Sequence, residues 1–169
     1  MATSSTNPTK HYSSIQENKI AESLGWKVVT GSGSRNCHPG DVESDSWLGE
    51  CKTHVERTDK ITFNLNVWKK IREEAAAKFK VPVLFVDNGT QLLEYTWCLF
   101  PLEFQSDTIP CIPYTRSVKT NIVFDGQALR RFLKVDNTLG AKAYKIQFDG
   151  IWCCICEFPY FREMFGEWR

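Results

Sequence analysis

The fold of this chain is decided by the stretch Gly40-Asp41-Val42-Glu43-Ser44-Asp45-Ser46-Trp47-Leu48-Gly49-Glu50-Cys51-Lys52-Thr53. A tight turn near Ser44-Asp45 is expected to join two paired strands over residues 40–43 and 47–53. Because residues two apart in a strand share a face, Glu50 and Lys52 are expected to point the same way, with Cys51 pointing into the sheet. Asp41, on the preceding strand, is expected to lie alongside them.

Two carboxylates beside a lysine have the composition of a magnesium-dependent phosphodiesterase site. Asp41 and Glu50 can hold a hard divalent cation that keeps its other positions for water and phosphate oxygen. Lys52 can orient or deprotonate the attacking water, or stabilise the charge that develops on phosphorus. Acid-x-Lys triplets are also common on solvated strands, so a charged hairpin surface is the alternative interpretation.

The segments around this stretch predict a mixed α/β core. A helix over residues 13–24 is followed by a strand over 26–30 and a polar loop over 31–36. Downstream, an apolar stripe that ends at Phe79 is typical of a helix over 65–79. The nearly all-apolar run 81–86 then predicts a buried central strand.

The C-terminal part is less regular in its pattern. Strands are expected near 96–100 and 121–124, and Asp125 is expected to cap a short helix that runs to Lys134. The turn signal Asp149-Gly150 predicts a hairpin of strands 143–148 and 151–158. The aromatic tail 158–168 is expected to pack on the core or to form a subunit interface.

The composition fits one cytoplasmic domain. The chain has 169 residues, is 42% hydrophobic, carries a net charge of +1 and contains seven cysteines. We expect residues 1–12 to be a flexible tail and 13–169 to form a single domain, with a core over 13–100 and a C-terminal elaboration over 101–169. No run is apolar enough for a membrane span or a secretory signal. We therefore expect a cytoplasmic protein with reduced thiols, or one of the host cytoplasm if the gene is viral.

Other polar residues have two interpretations each. Glu43 and Asp45 are auxiliary metal ligands or, as we favour, a solvated hairpin tip. His54 is a general base or phosphate contact, or a bystander, because the proposed chemistry does not require histidine. Cys153-Cys154-x-Cys156 lacks the usual zinc spacing, so buried thiols are favoured over a metal site.

Together these residues resemble the PD-(D/E)XK nuclease superfamily, and most of all its small Holliday junction resolvases from archaea and phages. The resemblance is carried by the Ser-Gly loop 31–34, the acids of 40–53, the helix with Trp68 and Lys69, and the strand 81–86. It implies a restriction-endonuclease-like mixed β-sheet flanked by helices, with extra β-hairpin elements at the C-terminal end. Residues beyond about Thr90 do not match, and Gly40 stands where a proline is common.

The resemblance also implies roles for individual residues. Asp41 and Glu50 would ligate Mg²⁺, for which Mn²⁺ can substitute, and the backbone carbonyl of Cys51 would be a further ligand. Lys52 would position the water or the scissile phosphate. Glu17 matches the glutamate of the first helix that completes the site directly or through water, with Glu22 as the competing candidate.

The contacts to DNA come from two kinds of residue. Ser32 and Ser34 match the family's loop that reaches the DNA backbone. Arg35 and Lys69 are cations that could contact phosphates, as are Lys60, Lys70 and Arg72. The alternative interpretation for each of these cations is a solvated charge on a helix or loop.

These observations predict a Mg²⁺-dependent DNA endonuclease that cuts branched DNA, most of all four-way junctions. A resolvase nicks two symmetric strands, so a homodimer without a membrane anchor is expected. The alternatives are a restriction-type or single-strand- and end-directed nuclease of the same fold, or a catalytically silent DNA-binding module.

Overall fold

The computed structural model describes residues 8–31, 38–102, 109–136 and 140–167. The helices in these ranges are α1 (Pro8–Leu24), α2 (Leu65–Ala77), α3 (Gly126–Arg131) and α4 (Phe158–Phe165). The strands are β1 (Lys27–Val28), β2 (Val42–Glu43), β3 (Trp47–Lys52), β4 (Lys60–Phe63), β5 (Val81–Val86), β6 (Trp97–Pro101), β7 (Cys111–Val118), β8 (Ile122–Asp125), β9 (Ala143–Phe148) and β10 (Ile151–Glu157).

In the described ranges the main sheet is mixed and has eight strands, in the order β1-β2-β3-β5-β6-β10-β9-β7. The hairpin β2–β3 is antiparallel, β3 and β5 are parallel with Glu50 opposite Leu84, and β5 and β6 are antiparallel. Strands β4 and β8 form a separate two-stranded sheet. The expected mixed α/β core with β5 as a buried central strand is therefore confirmed.

Helices cover both faces of the sheet. Helices α1 and α4 pack on the face of β3 that carries Trp47 and Cys51. Helix α2 packs through Trp68 and Ile71 on the opposite face, which carries Leu48. This alternation along β3 places the apolar residues of one strand in two separate cores, which is what a central strand between two helical layers requires.

Helix α1 begins earlier than expected. It starts at Pro8, so residues 8–12 belong to the helix and not to the expected tail over 1–12. A proline is favourable in the first helical turn, because its missing N–H has no partner there and its backbone angle is already helical. None of the described helices is long and apolar enough to cross a bilayer.

Helix α2 ends earlier than expected, so the prediction that Phe79 continues the apolar stripe is wrong. Phe79 is 97% exposed and has a φ of 57°. The chain reverses there to enter β5, with Lys80 N–H bonded to Ala75 O at 2.9 Å. This tight reversal places Phe79 outside the helical pattern that predicted its burial.

The C-terminal segment extends the main sheet. The predicted hairpin forms β9 and β10, and β10 pairs with β6. Strands β4 and β7 were not predicted, because each pairs with a strand distant in sequence and β7 contains Pro113 and a register shift. Asp125 caps α3 as expected, through Oδ1 and the N–H of Ala128.

The aromatic tail and the cysteine cluster both lie in the core. Phe158 and Phe161 of α4 are fully buried, and the ring of Phe161 contacts Trp47 and Phe85. Of the two alternatives for this tail, the described part therefore packs on the core. The three clustered cysteines are also fully buried, as expected of thiols that act as small hydrophobic residues: Cys153, Cys154 and Cys156.

Candidate active site

The two acids and the lysine of the β2–β3 hairpin lie near the end of the inner strand β3. Asp41 directly precedes β2, and its Oδ2 accepts a hydrogen bond of 2.8 Å from the backbone N–H of Cys51. Glu50 and Lys52 share a face of β3, with Lys52 Nζ 2.6 Å from Glu50 Oε1. The expected geometry of these residues is thus confirmed by their hydrogen bonds.

The backbone before Asp41 requires glycine. Gly40 has a φ of 73°, and a Cβ there would lie 2.7 Å from Leu48 Cδ1. A proline at this position could not adopt that angle, because its ring fixes φ near −65°. The N–H of Gly40 also donates to Glu74 Oε2 at 3.1 Å, which ties the approach to Asp41 to helix α2.

Residue 49, directly before Glu50, must also be glycine, because a side chain there would collide with its neighbours. A Cβ at Gly49 would lie 2.8 Å from both Phe85 Cε2 and Val42 Cγ2. Strands β2 and β5 therefore flank β3 closely at this residue. Close packing on both sides holds Glu50 at a defined position in the sheet.

Helix α1 adds a third carboxylate to this group. The pKa of Glu17 is raised from 4.5 to about 7 by its burial, and further by the negative charges of Asp41 and Glu50. Lys52 offsets part of that effect. Glu22, the competing candidate, is exposed to solvent. Glu17 is therefore the residue of the two that interacts with the acids of the hairpin.

The charges of the same three carboxylates act on the thiol of Cys51. Burial raises the pKa of Cys51 well above its usual value, and the charges of Asp41, Glu17 and Glu50 raise it further. This thiol consequently stays protonated. A nucleophilic role for its sulfur is excluded by that environment, since the thiolate is the reactive form.

Lys52 stays protonated because the Glu50 carboxylate lies beside it. Burial by itself lowers the pKa of Lys52, but the charge of Glu50 and the hydrogen bond to it outweigh burial, so the pKa is raised. An ammonium can donate hydrogen bonds to phosphate oxygens but cannot accept a proton from water. This state favours the charge-stabilising role of Lys52 over the role of a general base.

The chemistry of the donor set fits a hard divalent cation. Asp41 is 9% exposed and Glu50 is 6% exposed, so their charges are poorly solvated. With Glu17 they outnumber the single ammonium of Lys52, and oxygen donors are what Mg²⁺ prefers. Within the described ranges, no three His, Cys, Asp or Glu side chains are already gathered into a metal-binding group. Glu50 Oε1 is already hydrogen-bonded to the Lys52 ammonium.

Of the residues expected to contact DNA, the structure describes only some. Ser32, Ser34 and Arg35 lie outside the described residues. Lys69 is paired with Asp149 in the β9–β10 turn, 3.9 Å away, and lines an open pocket with Pro82 at the start of β5. Lys52 lies at the opposite end of these parallel strands. Lys69 therefore lies toward the other end of the strands from Lys52, and its contact with a DNA phosphate stays a prediction.

The remaining polar candidates have structural roles or none in the site. Glu43 is paired with Lys80 at 2.8 Å and Lys78 at 3.2 Å, and the hydrogen bond from Lys80 lowers its pKa. It therefore joins the hairpin to the α2–β5 connection. Asp45 is exposed at the hairpin tip, as favoured. The carbonyl of His54 accepts a hydrogen bond from Thr53 Oγ1 at 3.4 Å.

Two residues that support the site were missed by sequence reasoning. Gln16 is buried on α1 and its Nε2 donates to the carbonyl of Lys52 at 2.9 Å. Asp87, fully buried after β5, accepts from Thr53 Oγ1 and from the N–H of Gln91. The signal for Asp87 was its place directly after an apolar strand parallel to β3, since the ends of parallel strands share an edge. The pattern of α1 contains no comparable signal for Gln16.

Comparisons of this chain with protein-family models, with curated proteins and with solved structures found no match. The functional argument consequently rests on the geometry and charge of the residues described above.

Proposed function

We propose that this chain is a metal-dependent DNA endonuclease with a restriction-endonuclease-like fold. The observation that carries the proposal is the placement of Asp41 and of the Glu50–Lys52 pair by hydrogen bonds at the end of the central strand β3, with Glu17 of α1 coupled electrostatically to both acids. The pKa of Glu17, raised by burial and by the other two carboxylates, supports it, because such a crowding of negative charge is typical of functional sites. A solvated hairpin surface would leave these carboxylates exposed and apart.

In this proposal the cation is Mg²⁺, with Mn²⁺ as a substitute. Asp41, Glu50 and the backbone carbonyl of Cys51 would hold it, since all three supply oxygen. When bound, such a cation supplies Lewis acidity and lowers the pKa of a coordinated water. The pKa of Glu17 is raised by burial and by the charges of Asp41 and Glu50, and a cation held beside these acids would favour its ionised form.

The protein's own groups would act on the phosphate and on protons. Lys52 Nζ, which carries a positive charge, would donate hydrogen bonds to the phosphate oxygens on which charge develops. Glu17, with a pKa of about 7, could hold or release a proton near neutral pH. The backbone N–H of Cys51 would keep the Asp41 carboxylate oriented through its bond to Oδ2.

The substrate we propose is branched DNA, most of all a four-way junction, cut by a homodimer. This choice is supported by the resemblance of the hairpin and its flanks to resolvases. A restriction-type or end-directed nuclease keeps the same site and differs only in substrate. A silent DNA-binding module is disfavoured, because it would not need the intact pair of Glu50 and Lys52.

A gel assay would test the proposal with labelled four-way junction, matched duplex and single strand, each with Mg²⁺, Mn²⁺ or EDTA. We expect paired nicks in the junction that are lost in EDTA and in Asp41→Asn. Asp45→Asn is the matched control, because Asp45 is an exposed acid of the same hairpin, and it should cut like the wild type. No cleavage of any substrate with either metal would refute the nuclease, whereas equal cleavage of duplex would move it to the restriction type.

A further inference from the structure

Gln16 of α1 contacts the last residue of β3. It lies on α1 next to Glu17, is 1% exposed, and its Nε2 donates to the carbonyl oxygen of Lys52 at 2.9 Å. The same carbonyl accepts the backbone N–H of Asp87 at 3.1 Å. Strand β3 ends at Lys52, so these two bonds hold its last residue where strand pairing stops.

The other end of the Gln16 amide is unsatisfied. Its Oε1 is buried and has no hydrogen-bond partner in the part of the chain that the structure describes. A buried carbonyl oxygen without a partner destabilises a protein, whereas an apolar side chain of similar length could fill the same space. Packing alone therefore does not explain why residue 16 is a glutamine. The N–H group of its amide is the part that makes a hydrogen bond.

We propose that Gln16 is a positioning residue that holds Lys52 in its working orientation; this inference rests on the proposed nuclease function. The bond from Nε2 fixes the Lys52 backbone, and so keeps Nζ on Glu50. Because Gln16 and Glu17 are neighbours on α1, the same bond also sets the distance between the Glu17 carboxylate and the hairpin. Gln16 itself touches no reacting atom.

The variant Gln16→Met tests this role, since methionine has nearly the same length and cannot donate a hydrogen bond. We expect kcat for junction cleavage to fall by about 10- to 100-fold, as for other residues that orient a site, with KM within about twofold. The melting temperature should stay the same or rise, because the unsatisfied oxygen is removed. Asn18→Ala, at an exposed position of the same helix, is the control and should leave all three values unchanged.

Hydrogen exchange gives a second readout that does not depend on activity. The backbone N–H of Asp87 shares the Lys52 carbonyl with Gln16, and the N–H of Cys51 bonds to Asp41. In Gln16→Met both should exchange about tenfold faster while the amides of β5 keep their rates. Faster exchange with a normal melting temperature indicates positioning and not general loss of structure.

Two results would overturn the inference. One is an unchanged kcat together with unchanged exchange at Asp87 and Cys51. The other is a loss of kcat matched by a loss of folding in both Gln16→Met and Gln16→Leu, which would make the residue structural only. If the wild type cleaves no DNA, the proposed function fails by itself, and the exchange experiment still decides whether Gln16 orders the end of β3.

Discussion

Glu17 should make the protein less stable as the pH rises. Its pKa is about 7 in the folded protein and 4.5 in its ordinary state, because burial and the charges of Asp41 and Glu50 disfavour its ionised form. Between these values the folded state holds the proton more tightly than the unfolded state. The free energy of unfolding therefore falls as the pH rises from 4.5 to 7, and it is constant on either side.

The size of this effect follows from the two pKa values. Each pKa unit corresponds to about 1.4 kcal/mol, so ionised Glu17 destabilises the fold by up to about 3 kcal/mol above pH 7. Glu17→Gln removes this term. In a domain of this size we expect the melting temperature of Glu17→Gln at pH 8 to exceed that of the wild type by roughly 6–12 °C. Near pH 4 the two proteins should melt together.

Thermal unfolding followed by circular dichroism would measure this, at half-unit steps from pH 4 to 8.5 with EDTA present. Glu22→Gln is the matched control, because Glu22 is an exposed glutamate of the same helix. It should follow the wild type at every pH. If Glu17→Gln also follows the wild type across the whole range, Glu17 does not share the site with Asp41 and Glu50, and the convergence of three carboxylates is refuted.

Three further outcomes are expected. Gly40→Ala should destabilise the protein by about 1–3 kcal/mol in urea unfolding, because φ is 73° and the new Cβ meets Leu48; an unchanged midpoint would contradict this strain. Lys52→Met should abolish cleavage but tighten Mg²⁺ binding in calorimetry, because it frees Glu50 from its ion pair with Lys52. Weaker binding would argue against a Glu50 carboxylate that serves both Lys52 and the cation. Phe161→Ala should cost about 3–5 kcal/mol and Phe79→Ala less than about 0.5, by the same denaturation, because only Phe161 is buried; equal losses would refute this assignment of the core.

Local patterns were sufficient for much of the fold. The turn signal within 40–53 predicted the hairpin that became β2 and β3, and the Asp149-Gly150 turn predicted β9 and β10. These predictions succeeded because the period of side chains along a strand and the chemistry of a tight turn are properties of neighbouring residues. The pairing of Glu50 with Lys52 follows from the same period of two.

The early part of the chain needed more than local pattern. Glu17 and Glu22 both lie on one helix, and their sequence context did not separate them. The packing of α1 on the sheet separated them, because it brought Glu17 to the hairpin acids and left Glu22 in solvent. The tie from Gln16 to Lys52 depends on the same docking of helix on sheet.

The sequence by itself thus determined the hairpin, the shared face of Glu50 and Lys52, and the amphipathic helix α2. Only the tertiary structure decided that Glu17, and not Glu22, is coupled to the hairpin acids, that Lys69 lies at the other end of the strands, and that β7 forms an edge strand of the main sheet. The reason is physical: periodicity and turn chemistry act between residues close in the chain. Burial, charge coupling and strand pairing arise between segments that meet only after the chain has folded.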